Sequence, residues 1–168
     1  MPHKEAIPDV EDRELNSSIG HWQGDIIWET GPIKERSGLI DCFLPASVSK
    51  KPFSLKYPYI KMPKSTTIIV RFKGTTVFVP PIGVSIQWFL KDPTHKFLPY
   101  WDTAWMIGEW AQYLSYFSTP SDWDENNGEL LYENTNPWAY GGHIYYDEFS
   151  AQYPSIAKIQ YLPVVGVG

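Results

Sequence analysis

The chain has 168 residues, of which 43% are apolar and 20% charged, and a formal charge of −5. That length and composition suit one folded domain with a sizeable core and exclude a disordered chain. With 14 Lys plus Arg and no basic cluster, the sequence excludes a nucleic-acid partner bound through its phosphates.

Aromatic content is high at 16%, with 8 Trp, 11 Tyr and 8 Phe. Such side chains fill β-rich cores and also gather on recognition surfaces. Cys42 stands alone within an apolar run, so it reads as a buried small hydrophobe and not as half of an internal disulfide. No apolar run approaches the roughly 18 residues of a membrane span. The opening Met1-Pro2-His3-Lys4-Glu5 does not read as a signal peptide.

In chain order, residues 1–17 carry Glu5, Asp9, Glu11, Asp12 and Glu14 with few apolar groups, and read as an acidic linker or arm. Residues 18–168 then form a single globular domain. Ile19 to Glu29 reads as a strand, with Trp22, Ile26 and Trp28 on one face and His21, Asp25 and Ile27 on the other. Gly24 marks a bulge or a close backbone approach. A second strand runs from about Gly38 to Leu44. Residues 45–52 form a polar loop. Leu55 to Met62 is an edge or bulged strand, because Pro58 interrupts it.

Residues 65–79 predict a β-hairpin that turns at Lys73-Gly74, with Val70 facing Val77 and Phe72 facing Thr75. Val84, Ile86, Trp88 and Leu90 alternate as the inner face of another strand, stopped by Asp92-Pro93. One helix is expected at Thr103 to Phe117. Asp102 would cap it, and Met106, Ile107, Trp110, Tyr113, Leu114 and Phe117 would form its core stripe. Short strands follow at 129–132, 143–147 and 156–162. The sum is an α+β, mostly β fold: a twisted antiparallel sheet with one main amphipathic helix and long loops.

Chemistry-bearing patterns are sparse. His3, His21, His95 and His143 lack zinc-site spacing, and no metal or cofactor is expected. Asp122, Asp124 and Glu129 depart from a calcium loop and read as a solvated loop. No nucleophile elbow, phosphate loop or dinucleotide glycine pattern occurs. Ser18, His21 and Asp25 lie near one another along the chain, but strand spacing puts His21 and Asp25 too far apart for a direct hydrogen bond. No catalytic residue is assigned.

Three stretches carry a resemblance: Ile19-Gly20-His21-Trp22-Gln23-Gly24, Lys56 to Lys64, and Ile69-Val70-Arg71-Phe72-Lys73-Gly74. With Trp110-Ala111-Gln112-Tyr113-Leu114 and Asn136-Pro137-Trp138 in the same order, the sequence resembles the protruding domain of iflavirus capsid proteins, from insect picorna-like viruses. The resemblance spans roughly residues 19–140. It implies a viral capsid domain on the virion surface, tethered to other capsid subunits, that engages a host-cell receptor or membrane surface. The alternative is a hydrolase-like (esterase or lipase) entry domain with a Ser-His-Asp site. Some family members carry a His-Ser pair after the first-strand Trp. Here Trp22 is followed by Gln23 and Gly24, so that site is not carried over. The binding surface is expected on residues 45–52 or 118–136.

Overall fold

The computed structural model describes residues 3–24, 26–30, 36–44, 53–78, 84–99, 104–106, 108–135 and 142–154. They form two antiparallel sheets facing each other across one apolar core. The strands are β1 (His3–Glu5), β2 (Gln23–Gly24), β3 (Ile27–Glu29), β4 (Leu39–Leu44), β5 (Phe53–Ile60), β6 (Thr67–Phe78), β7 (Val84–Lys91), β8 (Lys96–Phe97), β9 (Ala104–Met106), β10 (Ala111–Ser118), β11 (Gly128–Thr135) and β12 (Gly142–Pro154). A short helix, α1, covers Val10–Glu14.

The first sheet runs β10-β6-β12-β4-β3, and β1 also pairs β12. Strand β12 is long enough to take β4 on Gly142 to Tyr146 and β1 on Gln152 to Pro154. Between them its register with β6 slips after Asp147, where Glu148 adopts a left-handed φ of 52°. That bulge shifts the alternation by one, so Ile144 and Tyr146 before it and Phe149 and Ala151 after it all reach the core. The second sheet runs β2-β5-β11-β7-β8, with β9 on the free edge of β7.

The inner faces follow a period of two. Strand β7 buries Val84, Ile86, Trp88 and Leu90, as its alternation predicts. Strand β6 contributes Ile68, Val70 and Phe72, all fully buried. Phe72 meets Trp88 edge-on at 5.0 Å and Tyr132 at 5.1 Å. This contact ties the sheets together, and truncating Phe72 to Ala removes about 3–5 kcal/mol.

The structure corrects several expectations, and the single antiparallel sheet is in fact two. The hairpin at 65–79 is a single twelve-residue strand, β6. It is paired along both edges, by β10 and by β12, so a turn at Lys73-Gly74 would sacrifice both ladders. Val77, which the hairpin would place opposite Val70 inside, is 47% exposed. Gly74 serves close packing: a Cβ there would lie 2.3 Å from Met106 Cε and 3.0 Å from Tyr145 O.

The helix at 103–117 is replaced by β9 and β10. Tyr113, Ser115 and Phe117 point inward by alternation, while Leu114 is 37% exposed. A helical stripe would have buried Leu114 and exposed Ser115, and tertiary pairing with β6 decides against it. Asp102 lies outside the described residues. The fold is therefore mostly β, with only the five-residue α1 helical among the described residues.

Residues 3–17, read from sequence as an acidic arm, are packed into the sandwich. Glu5 pairs with Gln152, and Ala6, Ile7, Asp12 and Leu15 are fully buried. Ala6 bonds the chain on both sides, donating to Ala151 O and accepting from Lys61 N. The stretch 19–29 divides between the sheets, with β2 on β5 and β3 on β4. Gly24 is a close approach, as expected: its φ is 135° and a Cβ would lie 2.2 Å from Ser54 O. The bulge opposite Pro58 also appears, as a register shift between Gly128 and Leu130.

Candidate functional site

The site begins with a capped turn. Asp9 accepts a hydrogen bond from Glu11 N at 2.9 Å and starts α1. Leu15 closes the helix in a left-handed conformation. This turn directs Asp12 inward, where its side chain is fully buried. A buried carboxylate needs donors, and Asp12 has three. His21 N donates to one oxygen at 2.8 Å. His21 Nδ1 and the Tyr57 hydroxyl each reach the other at 2.8 Å. Trp22 Nε1 donates to the Asp12 carbonyl at 2.7 Å, which fixes the next residue as well.

Gly20 makes this approach possible. Its φ is +60°, and a Cβ would lie 1.9 Å from Asp12 Oδ1. The result is an imidazole held by one nitrogen, with Nε2 on the far side of the ring. His21 is 56% exposed at its side chain and meets Tyr59 edge-on at 5.4 Å. It opens onto a cavity of about 520 Å³ lined by Pro8, Asp9, Asp12, His21, Tyr57, Tyr59 and Lys61. The Asp12 hydrogen bond and charge raise the His21 pKa, so the ring carries more positive charge near neutrality. Burial, then Asp12, pushes the Tyr57 hydroxyl far up and keeps it a neutral donor.

Two more His–Asp pairs occur elsewhere. His95 Nδ1 lies 2.9 Å from Asp92 Oδ1, while Nε2 lies 3.2 Å from Asp122. Asp92 also accepts from the backbone nitrogens of Thr94, His95 and Asp124. Burial would raise its pKa, but the bonds from Asp124, His95 and Thr94 together bring it down to about 2. With both ring nitrogens engaged, His95 clips the turn after β7 to the 120–124 loop. His143 Nδ1 lies 2.9 Å from both oxygens of Asp41, whose side chain is fully buried.

Of the residues singled out from sequence, His21 is the one that this arrangement uses. Its carboxylate partner is Asp12. Asp25 lies outside the described residues, as do 45–52 and 136–141. Ser18 Oγ accepts from Gly20 N at 3.1 Å, which shapes the turn. Among the described residues, no Ser hydroxyl is hydrogen-bonded to His21, His95 or His143. The hydroxyl that does reach a His is Thr94 Oγ1, at 3.0 Å, and it sits on the same His95 nitrogen as Asp92. A relay needs the hydroxyl on the opposite nitrogen. Asp124, expected in a solvated loop, is half-buried, and its carboxylate accepts turn bonds from Asn126 N and Asn127 Nδ2. Residues Asp9, Asp12, Tyr57 and Lys61 were missed because their convergence depends on sheet register and on a helix too short to show periodicity.

No protein-family model and no curated protein matches the chain. Solved structures do match in fold. A structure described as "CBM4 structure and function" aligns with a TM-score of 0.59 at 12% identity, over 80% of this chain and 95% of that one. TmCBM61 in complex with β-1,4-galactotriose aligns with a TM-score of 0.58 at 12% identity, over 88% of this chain and 97% of that one. The enzymatically active domain of bacteriophage CBA120 tailspike protein 4 aligns at 0.58 and 9% identity, over 86% of this chain and 21% of that one. At such identities the likeness is one of fold.

Proposed function

We propose that this chain is a surface-recognition domain, the protruding domain of an iflavirus-type capsid protein, that attaches the virion to saccharide on the host cell. The observation that carries the reading is the His21 cavity. An imidazole locked by a buried carboxylate, an exposed phenol ring and a lysine face one open space of about 520 Å³. Preorganised polar groups beside aromatic edges suit a ligand rich in hydroxyls, because little ordering is needed on binding. With Asp9 and Asp12 beside Lys61 and His21, the lining is mixed in charge and offers both donors and acceptors to saccharide hydroxyls. The order of the sequence motifs supports the capsid assignment. The sandwich fold supports the ligand class, since solved neighbours include carbohydrate-binding modules and a phage tailspike domain.

The test is saturable binding of the labelled chain to permissive insect cells, beside an unrelated β-sandwich. His21→Ala and Tyr59→Ala should each weaken binding about tenfold while leaving the circular dichroism spectrum unchanged. Binding that is insensitive to both variants sinks the reading.

A hydrolase-like entry domain is the second reading, and the Asp12–His21 pair is what favours it. Such a pair orients a general base, but a covalent mechanism needs a hydroxyl within reach of Nε2. An ester-substrate screen with a serine-directed phosphonate separates the two. No turnover and no labelling are expected, and stoichiometric labelling would install the hydrolase.

A further inference from the structure

The outer face of the β6-β12-β4-β3 sheet carries a second opening, which shares no lining residue with the His21 cavity. It measures about 240 Å³ and is lined by Ile26, Ile27, Glu29, Asp41, Phe43 and His143. Register builds its floor. His143 on β12 stands opposite Phe43 on β4 and opposite Val77 on β6, so the three form one cross-strand row. Phe43 is 49% exposed, and its ring centroid lies 4.9 Å from that of His143. Tyr145 backs His143 in a stacked arrangement at 5.5 Å. Ile27, 51% exposed, stands opposite Asp41 and walls one side. The polar edge is acidic: Asp41 holds His143 Nδ1, and Glu29 shares a hydrogen bond with Asp41.

We propose that this opening is a second binding site, for a neutral pyranose or furanose ring. The apolar face of a sugar ring would lie on Phe43, with its hydroxyls donating to Glu29 and exchanging a hydrogen bond with His143 Nε2. A neutral polyol fits this polarity because carboxylates accept hydroxyl protons. An acidic sugar does not fit, since the described lining offers two carboxylates and no Lys or Arg. The opening admits one ring, so the contact is weak alone and gains strength from many copies on one surface. This site stands independently of the His21 reading.

The test is two-dimensional NMR of the full chain titrated with neutral methyl glycosides and with a uronate, on the order of 10 mM. Neutral glycosides should shift the His143, Phe43 and Ile27 signals saturably. Phe43→Ala should weaken this binding about tenfold, Phe43→Tyr should keep it, and His21→Ala should leave it unchanged. Glu29→Gln, which preserves shape, should weaken it as well and guards against a folding defect in the Phe43 variant. The proposal is overturned if no neutral glycoside shifts these residues saturably. It is also overturned if the shifts persist in Phe43→Ala, or if the uronate binds there equally well.

Discussion

The Asp12–His21 and Asp41–His143 pairs share a chemistry and differ in everything around it. Both put Nδ1 of an accessible His within 3 Å of a fully buried carboxylate. Asp12 arrives from a short helix outside the sheets, and its other donors are a backbone nitrogen and a buried phenol. Lys61 stands on the same cavity, so that site is mixed in charge. Asp41 stands within a strand and shares a hydrogen bond with a second acid, Glu29, so that site is acidic. The difference teaches that a His–Asp pair is a positioning device, while the neighbours decide which ligand it could serve. His95 is the limiting case: carboxylates occupy both nitrogens, and only a structural clip remains.

The largest effect should come from removing the carboxylate with the most donors. Asp12→Ala strands the buried Tyr57 hydroxyl and frees His21. It should cost about 3 kcal/mol, read as a shift in urea midpoint. Asp41→Ala strands no comparable buried hydroxyl and should cost about half as much. Equal losses would erase the distinction drawn between the two sites. Gly20→Ala comes next, at about 2 kcal/mol, from a left-handed backbone and from the collision with Asp12 Oδ1. The matching test in the acidic site is Phe43→Ala, which touches an exposed ring and should stay within about 1 kcal/mol.

Acidity separates the regions further. His21 and His95 have raised pKa values, so their pairing contributes fully below about 6.5 and is lost as pH rises through the folded values. Burial raises Asp147 to about 6 against the opposing Glu148 amide and Arg36, so its contribution is complete below 3.8 and is lost as pH rises to about 6. Asp92, held near 2, contributes above 3.8 and is lost only in strong acid. The melting temperature should therefore be higher near about pH 5.5 than near about pH 8, and fall again below about pH 4. A profile that rises steadily from acid to pH 8 would contradict these assignments.

Much of this sandwich was legible in the sequence, and the limits have physical causes. Strand β7 announced itself because four apolar residues alternate without a competing pattern. Strand β6 did not, because Lys73-Gly74 looks like a turn when its two pairing partners are unknown. Strand β10 fits both periods at Tyr113 and Phe117, and only Leu114 and Ser115 tell them apart. His21 could be singled out, but its partner sits nine residues back on a helix of five residues. The Asp41–His143 pair joins positions 102 apart, and no local rule brings them together.

The finest test of the contrast is Glu29→Gln. Burial, then the hydrogen bond and charge of Asp41, raise the Glu29 pKa. In the folded chain this acid holds its proton longer than it would unfolded, so its contribution is complete below the ordinary value of 4.5 and is lost as pH rises through the folded value. A glutamine keeps the shape, donates permanently to Asp41 and never ionises. The variant should match the parent in mild acid and exceed it by a few tenths of a kcal/mol near neutrality, flattening that part of the stability profile. The same swap applied to Glu11 should act in the opposite sense. Its carboxylate accepts from Ser17 N and Ser18 N, its pKa is lowered, and its contribution appears above 4.5. If both variants moved the profile in the same direction, the opposite pKa directions of Glu29 and Glu11 would be contradicted.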